Sequence, residues 1–133
     1  MTICEREQKL IDDIRLQVAR ISKTAGRDLL GIVLENREPI FKKFYELGEL
    51  VRPKIEKGFG EVQATSVAQG LSSIQIALAA MFSYADVMQT RADLKSDTLA
   101  SIVAEHAPVV REWLDKIEQV LKLKQPPNPK AGG

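Results

Sequence analysis

Few side chains in this sequence could do chemistry, and they are scattered. His106 is the only histidine and Cys4 the only cysteine. A histidine can serve as general base, metal ligand or pH-dependent switch, because its charge changes near neutrality. Each role needs a partner. One helical turn either side of His106 stand Ile102, Val103, Pro108, Val109 and Val110, none able to share a ligand. The plainer reading is a core-edge histidine bonded to a neighbouring helix.

Metal chemistry finds no better support. Di-iron bundles need Glu-x-x-His on two helices, and Val103 stands three residues before His106. Zinc needs clustered Cys and His, whereas Cys4 and His106 lie far apart. Asp12 and Asp13 are adjacent, so on a helix they point to different sides and read as solvated. No Gly-x-Ser-x-Gly nucleophile elbow is present. The glycines form neither Gly-x-Gly-x-x-Gly nor a phosphate-binding Gly-x-x-x-x-Gly-Lys loop. Gly58-Phe59-Gly60 precedes Glu61, whose charge disfavours an anion at that helix start. The chain therefore reads as a non-enzyme with no cofactor.

Basic residues gather at Arg37, Lys42, Lys43, Arg52, Lys54 and Lys57, and again at Lys116, Lys122, Lys124 and Lys130. Glu38, Glu46, Glu49 and Glu56 dilute the first group. With 19 basic against 18 acidic residues the formal net charge is +1, so no undiluted nucleic-acid footprint is present. The single cysteine excludes an internal disulfide, and the start MTICEREQKLIDD has no apolar core of a signal peptide. The expectation is a cytoplasmic protein.

The elements that must carry these residues are helical. In a chain that is 28% charged, Val62 to Ala85 contains no charged residue. Val67, Leu71, Ile74, Leu78, Met81, Ala85 and Met88 follow one another at steps of four and three, which marks one helical face. A second stripe, Ser66, Gly70, Ser73, Ala77 and Ala80, is made of small residues and suits close packing of another helix. The spacing predicts a buried central helix over about 61–89. Its length would span a membrane, but interspersed Gln, Ser and Thr argue against spanning.

Around it, Ile11, Ile14, Val18, Ile21 and Ala25 predict a first helix from Ile3 to about Ala25. Residues 27–36 fit either a short helix or a buried strand, with helix preferred because no second strand exists to pair with it. Pro39 suits the first position of a further helix, carrying Ile40, Phe44, Leu47 and Val51 and ending near Pro53. Asp93, Ser96 and Asp97 are candidate N-caps for the last helix. That helix carries Leu99, Val103, His106, Val110, Trp113, Ile117 and Val120, with a kink expected at Pro108.

These features predict an all-α antiparallel bundle of four or five helices, one domain over 1–124, and a disordered tail over 125–133. The leading functional expectation is a non-enzymatic interaction or scaffold module. It would pair as a homodimer, or with another protein, through Val110, Trp113 and Ile117. The alternative is a bundle that binds a small apolar ligand among Phe41, Phe44, Tyr45 and His106. Nucleic-acid binding and a coat on lipid surfaces are the weaker readings.

Overall fold

In a computed structural model, residues 3–58, 60–91 and 93–123 are described. The tail assigned to 125–133 lies outside them. The chain forms four helices: α1 (Glu5–Lys23), α2 (Asp28–Lys57), α3 (Glu61–Met88) and α4 (Ser96–Lys122). Short connections send each helix back along its predecessor, giving an antiparallel bundle. α1 packs on α2 and α4, and α3 packs on α2 and α4, so α1 and α3 sit on a diagonal. No strand occurs among the described residues.

Local chemistry explains the boundaries. Cys4 caps α1: its Sγ accepts from the Glu7 N–H (3.4 Å) and its own N–H donates to Glu7 Oε1 (3.0 Å). This is a capping box with sulfur in place of the usual oxygen. At the other end the Thr24 hydroxyl donates to the Arg20 carbonyl (2.9 Å). Gly26 then takes φ +66°, where an L side chain would be strained, and the chain turns back into α2.

Residues 27–36, open between helix and strand in sequence, belong to α2. Pro39 was expected to start a helix and Pro53 to end one, but both lie inside α2; Pro108 lies inside α4, as its position in the sequence implied. The reason is shared. All three prolines are exposed, and so are Glu35, Glu49 and Ala104, whose carbonyls lose their partner. Residues on the outward side leave the freed carbonyls open to solvent rather than sealed in the core, so each helix can continue. None of Asp93, Ser96 or Asp97 caps α4; Lys95 occupies that position without a side-chain cap.

One apolar core runs the length of the bundle. It includes Leu10, Ile14 and Val18 of α1, Val33, Ile40 and Leu47 of α2, Ile74, Leu78 and Met81 of α3, and Val103, Val110 and Leu114 of α4. Each fully buried Leu or Ile contributes about 1.5–3 kcal/mol relative to exposure. The buried row of α4 is Leu99, Val103, Ala107, Val110, Leu114, Ile117 and Leu121. His106, Trp113 and Val120 fall one residue off it and are only half-buried. Ala25 lies beyond α1 and is exposed.

α3 is one wall of four rather than an enclosed centre. Two sides pack on α2 and α4, while its third side leaves Val62 78% and Ile76 66% exposed.

Polar contacts fix the helix order. Between α1 and α2, Gln17 Nε2 donates to Asn36 Oδ1 (3.0 Å) and Lys43 Nζ donates to Gln17 Oε1 (3.0 Å). Asn36 is itself buried and spends its amide on the Ile32 carbonyl (2.8 Å). Arg6 clasps Glu46, and Arg37 pairs with Asp86 across α2 and α3.

Candidate interaction surface

The residues singled out in sequence as a ligand pocket are not brought together. Phe44 is buried in the core. Phe41 is half-buried, its ring 5.3 Å from that of Phe82 and 6.0 Å from that of Tyr45. Tyr45 is 55% exposed. Around Phe41 and Tyr45 lies an open groove of about 630 Å³, lined also by Arg37, Glu38 and Lys42. These residues all come from α2, so the groove lies on one helix's outer side. His106 does not line it, being on α4 across the bundle.

The expected interface triad is likewise used inside the molecule. Val110 and Ile117 are core residues, 0% and 1% exposed. Trp113 lies between α4 and α3, with Lys116 Nζ 4.4 Å above its ring. The reason is the four-three spacing, which places Val110 and Ile117 on the inward side of α4 and half-buries Trp113 against α3.

The small-residue stripe of α3 faces that tryptophan. A Cβ on Gly70 would stand 3.0 Å from Trp113 Cε3 and 3.1 Å from Ile117 Cδ1 and Cγ1. Gly70 and Ala77 are buried, and Ser66, Ser73 and Ala80 are half-buried on the same side of the helix. The absence of a side chain at Gly70 is thus what lets the indole lie against the α3 backbone.

A different surface was missed in sequence. Val62, Thr65, Gln69, Ser72, Ile76, Ala79, Ser83 and Val87 are all exposed. They recur at three- and four-residue steps, so they form a single outward stripe along α3. None is charged. Small and polar residues hid the stripe from a search for apolar rows; the available signal was the missing charge. Outward helix faces normally carry Lys and Glu, as the other three helices here do. A shallow groove of about 390 Å³ opens at its start, lined by Glu61, Val62, Thr65, Ser66 and Gln69. α3 is long and apolar enough to cross a membrane by length and composition. About a third of its most apolar stretch is buried within the bundle, and Thr65, Gln69, Ser72 and Ser83 lie on the open face.

Charge is organised elsewhere. Gln8 Nε2 donates to Glu118 Oε2 (2.6 Å), and Arg15 reaches Asp115 Oδ1 (2.8 Å) and Glu118 Oε1 (3.4 Å), joining α1 to α4. Burial pushes the Glu118 carboxyl up, but the Gln8 bond and the charges of Arg15 and Lys122 together hold it below its ordinary value. For Arg15, burial works against the charge, and the Asp115 bond with the nearby Glu118 outweighs it, so its pKa is raised. Glu7 is fully buried, with Lys54 Nζ 2.5 Å from Oε1 and no partner for Oε2 among the described residues. No group of three or more metal-binding side chains occurs among the described residues.

No protein-family model, curated protein or solved structure matches the chain.

Proposed function

We propose that this protein is a non-enzymatic helical interaction module that self-associates through the outer face of α3. One observation carries the reading: an exposed stripe from Val62 to Val87 bears no charge in a chain that is 28% charged. Desolvating charge opposes association, and interface centres are depleted of charged residues. A stripe of Val, Ile, Ala, Ser, Thr and Gln has little charge to desolvate and can lie close against a second helix. The faces around Arg15 and Glu118 have the opposite character, since their charges are already consumed within the bundle.

Light scattering over a concentration series tests the reading. The mean mass of the wild type rises above 14.8 kDa with concentration, and Ile76→Glu abolishes the rise without changing the melting temperature. Ile76 is 66% exposed, so a glutamate there costs the bundle little while placing a charge in the paired state. A wild type of monomer mass throughout, or an Ile76→Glu variant that still associates, refutes the assignment.

A second reading rests on the groove at Phe41 and Tyr45. There a small aromatic or apolar molecule could stack on Tyr45, with Arg37 and Lys42 at its edge. Loss of tyrosine fluorescence on adding an apolar dye, absent in Tyr45→Ala, would favour it.

A further inference from the structure

We propose that a cleft between the α1–α2 turn and α4 binds a small aliphatic α-amino acid. Its floor is apolar, made by Leu29 and Val103, and its volume is about 230 Å³. At roughly 30 Å³ per non-hydrogen atom, the share of one water in the liquid, that holds about eight atoms. Valine is of this size. One wall is a single edge of α4, where Ala104, Pro108 and Arg111 recur at steps of four and three and so stack along one face. The other wall is the turn itself, where Gly26 takes φ +66° and brings no side chain into the opening. The cleft owes nothing to the outer face of α3.

Two groups on the α4 edge lack partners, and they are of opposite sign. Pro108 has no N–H, so the Ala104 carbonyl finds no donor four residues on. That oxygen projects along the helix toward Pro108, and both residues line the cleft. Arg111 makes no ion pair among the described residues. The acids beside it on α4 are engaged elsewhere, Glu112 with Lys116 (3.2 Å) and Asp115 with Arg15 (2.8 Å). Helical side chains lean toward the helix N-terminus, so Arg111 leans back over Pro108 toward the open carbonyl. A cation and a hydrogen-bond acceptor thus stand side by side above an apolar floor.

That pairing selects the ligand. A guanidinium takes a carboxylate, by two parallel bonds where geometry allows, and a bare carbonyl takes an N–H, most strongly from an ammonium. Ala104 and Arg111 are seven residues apart, about 10 Å along the axis. The carbonyl reaching forward and the arginine reaching back close most of that gap. What remains suits a carboxylate and an ammonium on one carbon, rather than at two ends of a chain. The ligand's branched side chain then faces Leu29 and Val103. A plain carboxylate would leave the carbonyl unanswered, and a plain amine would leave the arginine so. Exposed charges around the turn, Arg20, Lys23 and Arg27 against Asp28, favour arrival of the carboxylate end. With about eight ligand atoms in a site open to solvent on one side, half-saturation falls on the order of a millimolar.

Amide spectra of the labelled full chain, held at fixed protein concentration and titrated with L-valine, test the site. Saturable shifts are expected at Gly26, Leu29, Ala104 and Arg111. Isovalerate, which is valine without its amino group, is expected to bind about tenfold more weakly. Arg111→Gln should weaken valine binding about tenfold while leaving the melting temperature in place. Pro108→Ala restores the N–H that occupies the Ala104 carbonyl, so it should raise the melting temperature and yet weaken valine binding severalfold. A merely structural role for Pro108 would not couple a more stable fold to a weaker site. The absence of saturable shifts in the wild type overturns the proposal. So does isovalerate binding as tightly as valine, or valine binding unchanged in either Pro108→Ala or Arg111→Gln.

Discussion

Gly70 offers the sharpest test of how α3 and α4 meet. Three glycines lie inside helices: Gly31 and Gly48 in α2 and Gly70 in α3. A Cβ at Gly31 or Gly48 meets nothing within 4 Å, whereas one at Gly70 meets Trp113 and Ile117 at 3.0–3.1 Å. Alanine is the better helix former by about 1 kcal/mol, so Gly31→Ala and Gly48→Ala should each stabilise by roughly 0.5–1 kcal/mol. At Gly70 the same gain opposes three carbon contacts some half an ångström inside the optimum of about 3.5–4.0 Å. Overpacking of this kind costs about 1–3 kcal/mol. Gly70→Ala is thus expected to lie between neutral and about 2 kcal/mol destabilising, and Gly70→Leu to cost more, as should Ala77→Leu on the same stripe. For a chain of this size 1 kcal/mol moves the melting temperature by roughly 3–5 °C, so thermal melts separate the variants. Ile117→Val removes Cδ1, one of the contacting atoms, and should cost less in the Gly70→Ala background than alone, a coupling of about 0.5–1 kcal/mol. Equal stabilisation by all three glycine substitutions would refute the close approach.

Two other perturbations follow from the polar contacts. Lys54→Met leaves the buried Glu7 carboxylate without its cation and should cost about 3–5 kcal/mol in urea melts, while Glu7→Met with Lys54→Met should recover most of that loss. The Glu118 carboxyl is held below its ordinary value of 4.5 in the folded state, so its contribution is complete above pH 4.5 and is lost as pH falls through the lower folded value. Acid melts of the wild type should show this decline, and Glu118→Gln should flatten it.

Much of the fold was legible because burial repeats with the helix. The rows on α1 and α3 stood out, and the spacing that predicted a helix over about 61–89 matched α3, Glu61–Met88. α4 was harder. Val103, Val110 and Ile117 belong to two overlapping four-three rows, one completed by His106, Trp113 and Val120, the other by Ala107, Leu114 and Leu121. Bulk favours the first row, but the bundle buries the second and turns Trp113 toward Gly70. Pro39 and Pro53 misled, because sequence does not say which side of a helix faces water, and an outward proline need not end a helix; Pro108 lies inside α4, as its sequence context indicated. The candidate pocket failed for a related reason: Phe41 and Tyr45 lie on the outer side of α2, while His106 sits on the far side of the bundle. The outward stripe of α3 was not legible as a site, since serine, alanine and glutamine advertise nothing individually. Only the neighbouring helices show that this uncharged row faces away from the core.

The proposal that α3 presents the docking face is tested most directly by amide spectra of labelled protein from about 10 micromolar to about 1 millimolar. Concentration-dependent shifts are expected at Val62, Thr65, Gln69, Ser72, Ile76, Ala79, Ser83 and Val87, with α1 unmoved. Shifts gathered on α1, or spectra that superimpose across the whole range, would contradict it.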